Sequence, residues 1–364
     1  MDTTIGDRIR PLLRQAGINQ GQLADDVGMT RDAMSRAMNG QRGFSSIEVA
    51  LIAERLNQDV HWLITGRPDP NLMAQAARCS FDFDTGTYAN AGEDGDQATL
   101  DAIRLAYAQG WPAGAPQSKT IPQDASEARR ALGDHFVSDL SDRVEATFDV
   151  DVIRTSEVST DYALTIGERC VLVIEAKTNW FRENWSIAHE LGHFSHGHRH
   201  ESDTDRAATE PAANAFAADL LLPADEIRGI DWQTIGAEAL GMLLWDWGVS
   251  TDALRRRLSA LRQPTSTTVD NWLAMSTIVF LKQVALPSSM WGKLTERQRA
   301  AATRRFPTDL LLRHEEGVTT GRLAKNTLAW MLAVSPEQIA VPEPTNSGGV
   351  DLDDLAAELG LMPR

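Results

Sequence analysis

Residues 185–198 read WSIAHELGHFSHGH. His189 and His193 stand four apart, so on a helix their imidazoles share one face and can reach a single ion. Glu190 lies beside that face, where its carboxylate can hold a water. Ile187, Leu191 and Phe194 recur at helical spacing on the other side and give the helix a buried back. A chain carrying such a helix must cover its apolar side with a core. It must also bring a second element up to the histidines to complete the set of ligands. That double demand restricts the fold more than any bulk property does.

Catalytic zinc commonly takes three protein ligands and leaves the fourth position to water. One known arrangement puts a third His ten residues after the first, preceded by a Gly seven after it. Those positions are Arg199 and His196 here, so that arrangement fails. A downstream carboxylate is the other solution. Glu210 is expected to open the next helix, in EPAANAFAADLLLP, with Pro211 suited to its first turn. Glu201, Asp203 and Asp205 are rivals. The plainer alternatives are a solvated loop at His196, His198 and His200 that takes metals adventitiously, and a purely structural zinc. The latter usually wants four protein ligands, often Cys, and the chain has two cysteines, Cys79 and Cys170, in no CxxC pattern.

The 364 residues carry 51 acidic against 35 basic side chains, a formal net charge of −16. Such a surface repels phosphate backbones, so any nucleic-acid binding must be local. The start, MDTTIGDRIR, is polar. The longest apolar run, LAMSTIVFLKQVAL, is interrupted by Lys282 and is too short to span a bilayer. A cytoplasmic protein with no disulfide framework and no membrane partner is expected.

The chain divides into four stretches on this reading. Residues 1–66 form a five-helix unit, with helices at about 5–16, 20–27, 31–38, 46–56 and 59–64 and with Asn19 and Thr30 as caps. Residues 67–120 read as a partly disordered linker, interrupted by a short helix at about 97–109. A second unit at 121–263 has helices at about 124–134 and 139–147, strands in DVIRT, YALTI and CVLVIEA, and the histidine helix at about 181–195. Helices follow at about 234–246 and 251–262. Residues 264–364 read as a helical C-terminal domain, with helices at about 268–284, 294–304, 320–331 and 351–358 and a hinge at PEPTNSGG. Trp272, Trp291 and Trp330 there suggest core or interface positions. The fold class is mainly α with a small β-sheet, an α+β protein.

WSIAHELGHFSHGH followed by EPAANAFAADLLLP resembles the ImmA/IrrE family of zinc metallopeptidases, over roughly residues 121–262. The resemblance implies a zincin-like domain with His189, His193 and Glu210 as zinc ligands and Glu190 as general acid/base. It makes Asn214 and Phe216 helix-packing positions. Leu222 stands where the family often has Met. In that chemistry Glu190 takes a proton from water and passes it to the leaving amine. A further donor to the oxyanion is expected, with Tyr162, His196 and His198 as candidates.

NQGQLADDVGMTRDAMSRAMNGQRGFSSIEVALIAERL, within residues 5–64, resembles the Xre/Cro-type helix-turn-helix of phage repressors. That implies a second helix entering the major groove. Thr30, Arg31, Asp32 and Ser35 would then face bases, and Gln20, Arg36, Asn39 and Arg42 would contact phosphates. A protein-pairing role is the alternative. Seven arginines meet eight acidic residues in this unit, a poor balance for phosphate attraction. A homodimer on a palindromic operator would offset weak monomer binding.

The combined expectation is a DNA-binding regulator fused to a zinc peptidase that cleaves a repressor or antitoxin-like protein, or its own linker. The alternatives are a non-proteolytic metabolite- or zinc-sensing transcription factor and a toxin–antitoxin or phage-defence component.

Overall fold

The computed structural model describes residues 4–56, 58–67, 69–82, 87–89, 93–197 and 203–340, with the backbone alone at 75–82, 87–89, 93–94 and 203–208. His198, Glu201, the PEPTNSGG stretch and the helix expected at 351–358 lie outside the described residues.

Five short helices come first: α1 (Ile5–Ala16), α2 (Gln20–Asp26), α3 (Arg31–Met38), α4 (Ser46–Arg55) and α5 (Val60–Thr65). Their starts are written in polar side chains. Thr4, Asn19, Thr30, Ser45 and Asp59 each accept a hydrogen bond from a first-turn N–H, satisfying donors that a helix end leaves orphaned. Gly17 leaves α1 at φ 67°, a left-handed conformation that suits glycine. Ile9, Leu23, Met34, Ile52 and Leu63 are fully buried in a core of their own.

The sheet has five strands in the order β2-β1-β4-β5-β3. These are β1 (Met73–Asp82), β2 (Thr87–Ala89), β3 (Asp151–Thr155), β4 (Asp161–Ile166) and β5 (Arg169–Glu175). The β1–β2, β1–β4 and β4–β5 pairs are antiparallel, and β3–β5 is parallel. β5 is buried on both faces, which explains its unbroken apolar run. Cys170, Leu172 and Ile174 point into one core and Val171 and Val173 into another.

The first core is covered by α7 (Ala125–Leu132), α8 (Leu140–Phe148), α9 (Trp180–Ser195), α10 (Asp203–Leu221), α12 (Ala237–Trp247) and α13 (Thr251–Ala260), with the short α11 (Ala224–Arg228) between them. The second is covered by α6 (Glu93–Gly110), α17 (Thr308–Thr319) and α18 (Lys325–Leu332).

Residues 67–120 correct the linker expectation. They supply β1, β2 and α6. Ile103, Ala106 and Tyr107 of α6 are fully buried against the sheet. Strand β1 pairs through its backbone, which composition does not report.

Residues 264–340 likewise build no core of their own among the described residues. Val269, Leu273, Phe280 and Leu294 join the first core, and Phe306, Leu310, Leu328 and Met331 join the second. The single helix expected at 268–284 is broken into α14 (Thr267–Leu273), α15 (Thr277–Phe280) and a π-turn at Leu281–Ala285. In the break between α14 and α15 the Met275 carbonyl oxygen accepts from Thr251 Oγ1 at 2.8 Å, and Thr277 Oγ1 accepts from the Thr251 N–H at 3.0 Å. α16 (Trp291–Ala302) matches expectation, α17 was not foreseen, and the helix read from 320 begins at Lys325.

Candidate functional site

α9 lies on the sheet with Ile187, Leu191 and Phe194 in the first core, as its apolar spacing requires. Asn179 caps it, accepting from the Arg182 N–H. α10 crosses α9 closely, and Gly192 is the reason it can. A Cβ there would come within 2.9 Å of the Ala213 Cα and 3.0 Å of the Ala213 carbonyl oxygen. The glycine inside HELGH therefore lets the second helix bring its carboxylate to the histidines.

α10 begins at Asp203, not at Glu210, so Glu210 sits inside the helix and Pro211 with it. This corrects the expectation that Glu210 opens the helix. An interior proline removes one helical bond and crowds the carbonyl of the residue four before it, at a cost of about 3 kcal/mol, so α10 carries Pro211 against its local preference.

His189, His193 and Glu210 converge and are all buried. The Nε2 atoms of His189 and His193 lie 3.2 Å apart. Glu210 Oε2 is 3.2 Å from His189 Nε2, and its Oε1 is 3.4 Å from His193 Nε2. A tetrahedral ion with ligand bonds of about 2.0–2.1 Å requires ligand atoms about 3.3–3.4 Å apart. The edge between the imidazoles is near that length, and each imidazole has one Glu210 oxygen at a similar distance, Oε2 for His189 and Oε1 for His193. The donor set, two imidazoles and a carboxylate, is also one that zinc takes. Among the described residues this is the one group of three such side chains with the spacing to hold a metal. The side chains of the rivals Glu201, Asp203 and Asp205 lie outside the described ones.

Glu190 is 1% exposed, and its Oε2 has no hydrogen-bond partner. A buried carboxylate oxygen without a donor is costly, and a water held beside the triangle would satisfy it. Burial pushes the Glu190 carboxyl above its ordinary range. The two histidines oppose this, and the nearby Asp161 and Glu210 charges add to it. Burial disfavours charge on His189, but Glu210, Glu190 and the Asn214 side chain outweigh it and raise the imidazole's pKa.

Two contributors were not foreseen. Asn214, read as a packing residue, lies close enough to His189 to favour its protonated form. It stands one turn after Glu210 on α10, so helical spacing could have found it. Asp161, the first residue of β4, accepts from Ser186 Oγ at 2.6 Å and pairs with Arg182 at 3.1 Å. No local signal in the sequence marks it. Phe216 packs as expected, edge-on to the His196 ring.

Of the oxyanion candidates, Tyr162 is excluded by strand alternation. Its neighbour Asp161 faces α9, so Tyr162 points to the opposite side of the sheet. There it lies in the second core and donates to Asp96 Oδ2 at 2.7 Å. His196 caps the end of α9, with Nδ1 2.8 Å from the Gly192 carbonyl oxygen.

In the N-terminal helices, α2 and α3 meet across the turn at Val27–Met29. The residues read as DNA contacts lie on or beside them, but their polar atoms are largely engaged. Arg31 pairs with Asp25 at 2.7 Å, Arg36 with Asp32 at 3.2 Å, and Arg42 with Glu48. The Thr30 hydroxyl caps α3, and Asn39 Oδ1 accepts from Arg10 at 3.0 Å. Gln20 and Ser35 are half-buried.

Residues 145–259 match the family model of the IrrE N-terminal-like domain, Peptidase_M78. The stretch is thus similar to a peptidase-family domain and contains α9, α10 and all the converging side chains. No curated protein and no solved structure matches the chain. Among the described residues, no helix is long and apolar enough to cross a membrane.

Proposed function

We propose that the chain is a zinc-dependent endopeptidase joined to a DNA-binding regulator, acting on a specific repressor or antitoxin-like protein. The observation that carries the peptidase half is the buried triangle of His189, His193 and Glu210 with the unpartnered Glu190 oxygen beside it. The family likeness over 145–259 supports the same reading.

Those three side chains would hold the zinc. Bound zinc lowers the pKa of its water to about 7 and polarises a carbonyl. Glu190 does the proton work: it accepts a proton from water and returns it to the departing amine. Its raised pKa suits a group that must both take and give a proton near neutrality. Asp161 holds Ser186 and Arg182 on the face of α9 that carries Glu190. The outer nitrogen of His189, Nδ1, has no protein partner, so a water is the group left to orient that ring.

The DNA-binding half rests on the order and capping of α1–α5 and on the α2–α3 pair. A homodimer is supported by apolar side chains exposed at helical spacing, Ile47 with Leu51 on α4 and Val60 with Ile64 on α5. A second copy would give two α3 helices for two half-sites.

The test is bound metal in the purified chain. Near-stoichiometric zinc is expected, lost in both His193→Ala and Glu210→Ala. A native chain that takes no zinc when zinc is supplied would leave a DNA-binding regulator without peptidase chemistry. Repression of a reporter that persists in Glu190→Gln, with no partner cleaved by the native chain, would favour the non-proteolytic sensor.

A further inference from the structure

An enzyme that hydrolyses a peptide must admit an extended chain. The four side chains of the site are all buried here. His189 is 7% exposed, His193 0%, Glu210 3% and Glu190 1%.

α9 rests against three strands, β5, β4 and β1. Asp161 opens β4 and is bonded to Ser186, which stands one turn before Glu190 on the same face of α9. In the sheet, Asp161 is paired with Cys79, Tyr162 with Arg78, and Ala163 with Ala77. Adjacent strands are about 4.8 Å apart. The backbone at 77–79 therefore runs one strand beyond Asp161, on the side of α9 where the turn leading into the site lies.

β1 lies outside the segment that matches the peptidase family, in the stretch that follows the N-terminal helices. Its register on β4 slips between Gln75 and Ala77. On its other side it pairs with β2 only from Ser80 to Asp82. A peptide that added itself to the edge of β4 by backbone pairing would need the place β1 holds.

We propose that residues 73–79 form an intramolecular strand that occupies the edge of β4 and keeps the His189–His193–Glu210 site closed to extended polypeptide. Closure stands on the sheet register and the burial; its meaning as latency rests on the peptidase reading. The occupant that opens the site is an extended polypeptide segment able to replace 73–79 on β4.

Closure is measurable without zinc and without turnover. Diethyl pyrocarbonate modifies histidines that solvent reaches, and the modified positions can be mapped by mass spectrometry in the metal-free full chain. His189 and His193 should react at least tenfold faster in Ala77→Pro, because proline disrupts strand pairing. His314, 0% exposed in the second core, should stay unreactive and so separate strand release from unfolding. The double substitution Ala74→Gly with Ala77→Gly is a milder second variant and should show the same direction. A peptide of residues 71–82 added in excess should slow the reaction again.

Two results would overturn the proposal. One is His189 and His193 reacting in the native chain as fast as half-buried His61. The other is unchanged slow reaction in both variants while backbone amides of 73–79 exchange freely. Zinc content and peptide hydrolysis, measured on the same preparations, report on the peptidase reading separately. A variant with freed histidines and no zinc would keep the closure and discard the enzyme.

Discussion

The N-terminal helices and the α9–α10 crossing use charge in opposite ways. In α1–α5 the arginines are exposed and find carboxylates of the same unit: Arg31 with Asp25, Arg36 with Asp32, Arg55 with Asp26. Exposed pairs of this kind contribute little, about 0–1 kcal/mol each. At the crossing, two imidazoles and two carboxylates are buried together, and Glu190 Oε2 has no donor. The first arrangement is complete within the chain and gains little from being so. The second is incomplete within the chain, and burial makes the incompleteness expensive. Ligand chemistry is more legible where a protein has left its own groups short of partners.

The contrast can be broken most severely at Glu190. Glu190→Gln keeps the size and the burial but removes the proton acceptor. Hydrolysis of a cleavable partner should fall by about 10²–10⁴-fold, with bound zinc unchanged by elemental analysis. Cleavage that survived would move the proton work elsewhere. Next is Gly192→Ala, which presses a methyl group onto the Ala213 backbone. We expect a loss of roughly 1–3 kcal/mol in denaturant melts and weaker zinc retention, because α10 must back away from the histidines.

The surface half is tested by Asp25→Asn, which frees Arg31. DNA binding should strengthen by roughly a few-fold, and the slope of log affinity against log salt should steepen by about 0.9 if one more phosphate is engaged. An unchanged slope would remove Arg31 from the interface.

The smallest effect concerns a buried histidine that has no role in the site. His314 is neutral in the second core, with Nε2 2.9 Å from the Ala106 carbonyl oxygen, and burial holds its pKa below the ordinary 6.5. The unfolded chain takes up this proton first as pH falls. The stability His314 contributes is therefore full above pH 6.5 and is lost as pH drops through the lower folded value. His314→Gln keeps a donor for Ala106 and should flatten that acid limb in melts between pH 7 and 5.

The parts of this fold that show in the sequence are those with a local cause. Caps at Asn19 and Thr30, the apolar run of β5 and the two-faced α9 are each dictated within a few residues. The convergence of Glu210 on the histidines was readable because two helices carry their ligands at fixed spacing, although the start of α10 was misread by a full two turns. What escaped had a distant cause. β1 is held by backbone pairing to a strand some ninety residues away. Asp161 matters through Ser186 on another element. Tyr162 was misjudged because strand alternation, invisible until β4 is aligned, turns it away from α9. The break at 274–276 gives the Met275 carbonyl oxygen to Thr251, a partner on another helix.

One consequence lies in how the sheet is closed. The backbone of Arg154 on β3 bonds that of Arg305 in both directions at 2.9 Å, so the far edge of the sheet is finished by residues that come a hundred and fifty positions later. On the other side, β4 is covered by β1, which comes before the family-like segment. Residues 145–259 excised alone would expose both rims of the sheet and uncover the second core, whose covering helices α6, α17 and α18 lie outside them, an invitation to polymerise. The part that looks like a portable module is therefore inherited with its flanks or not at all.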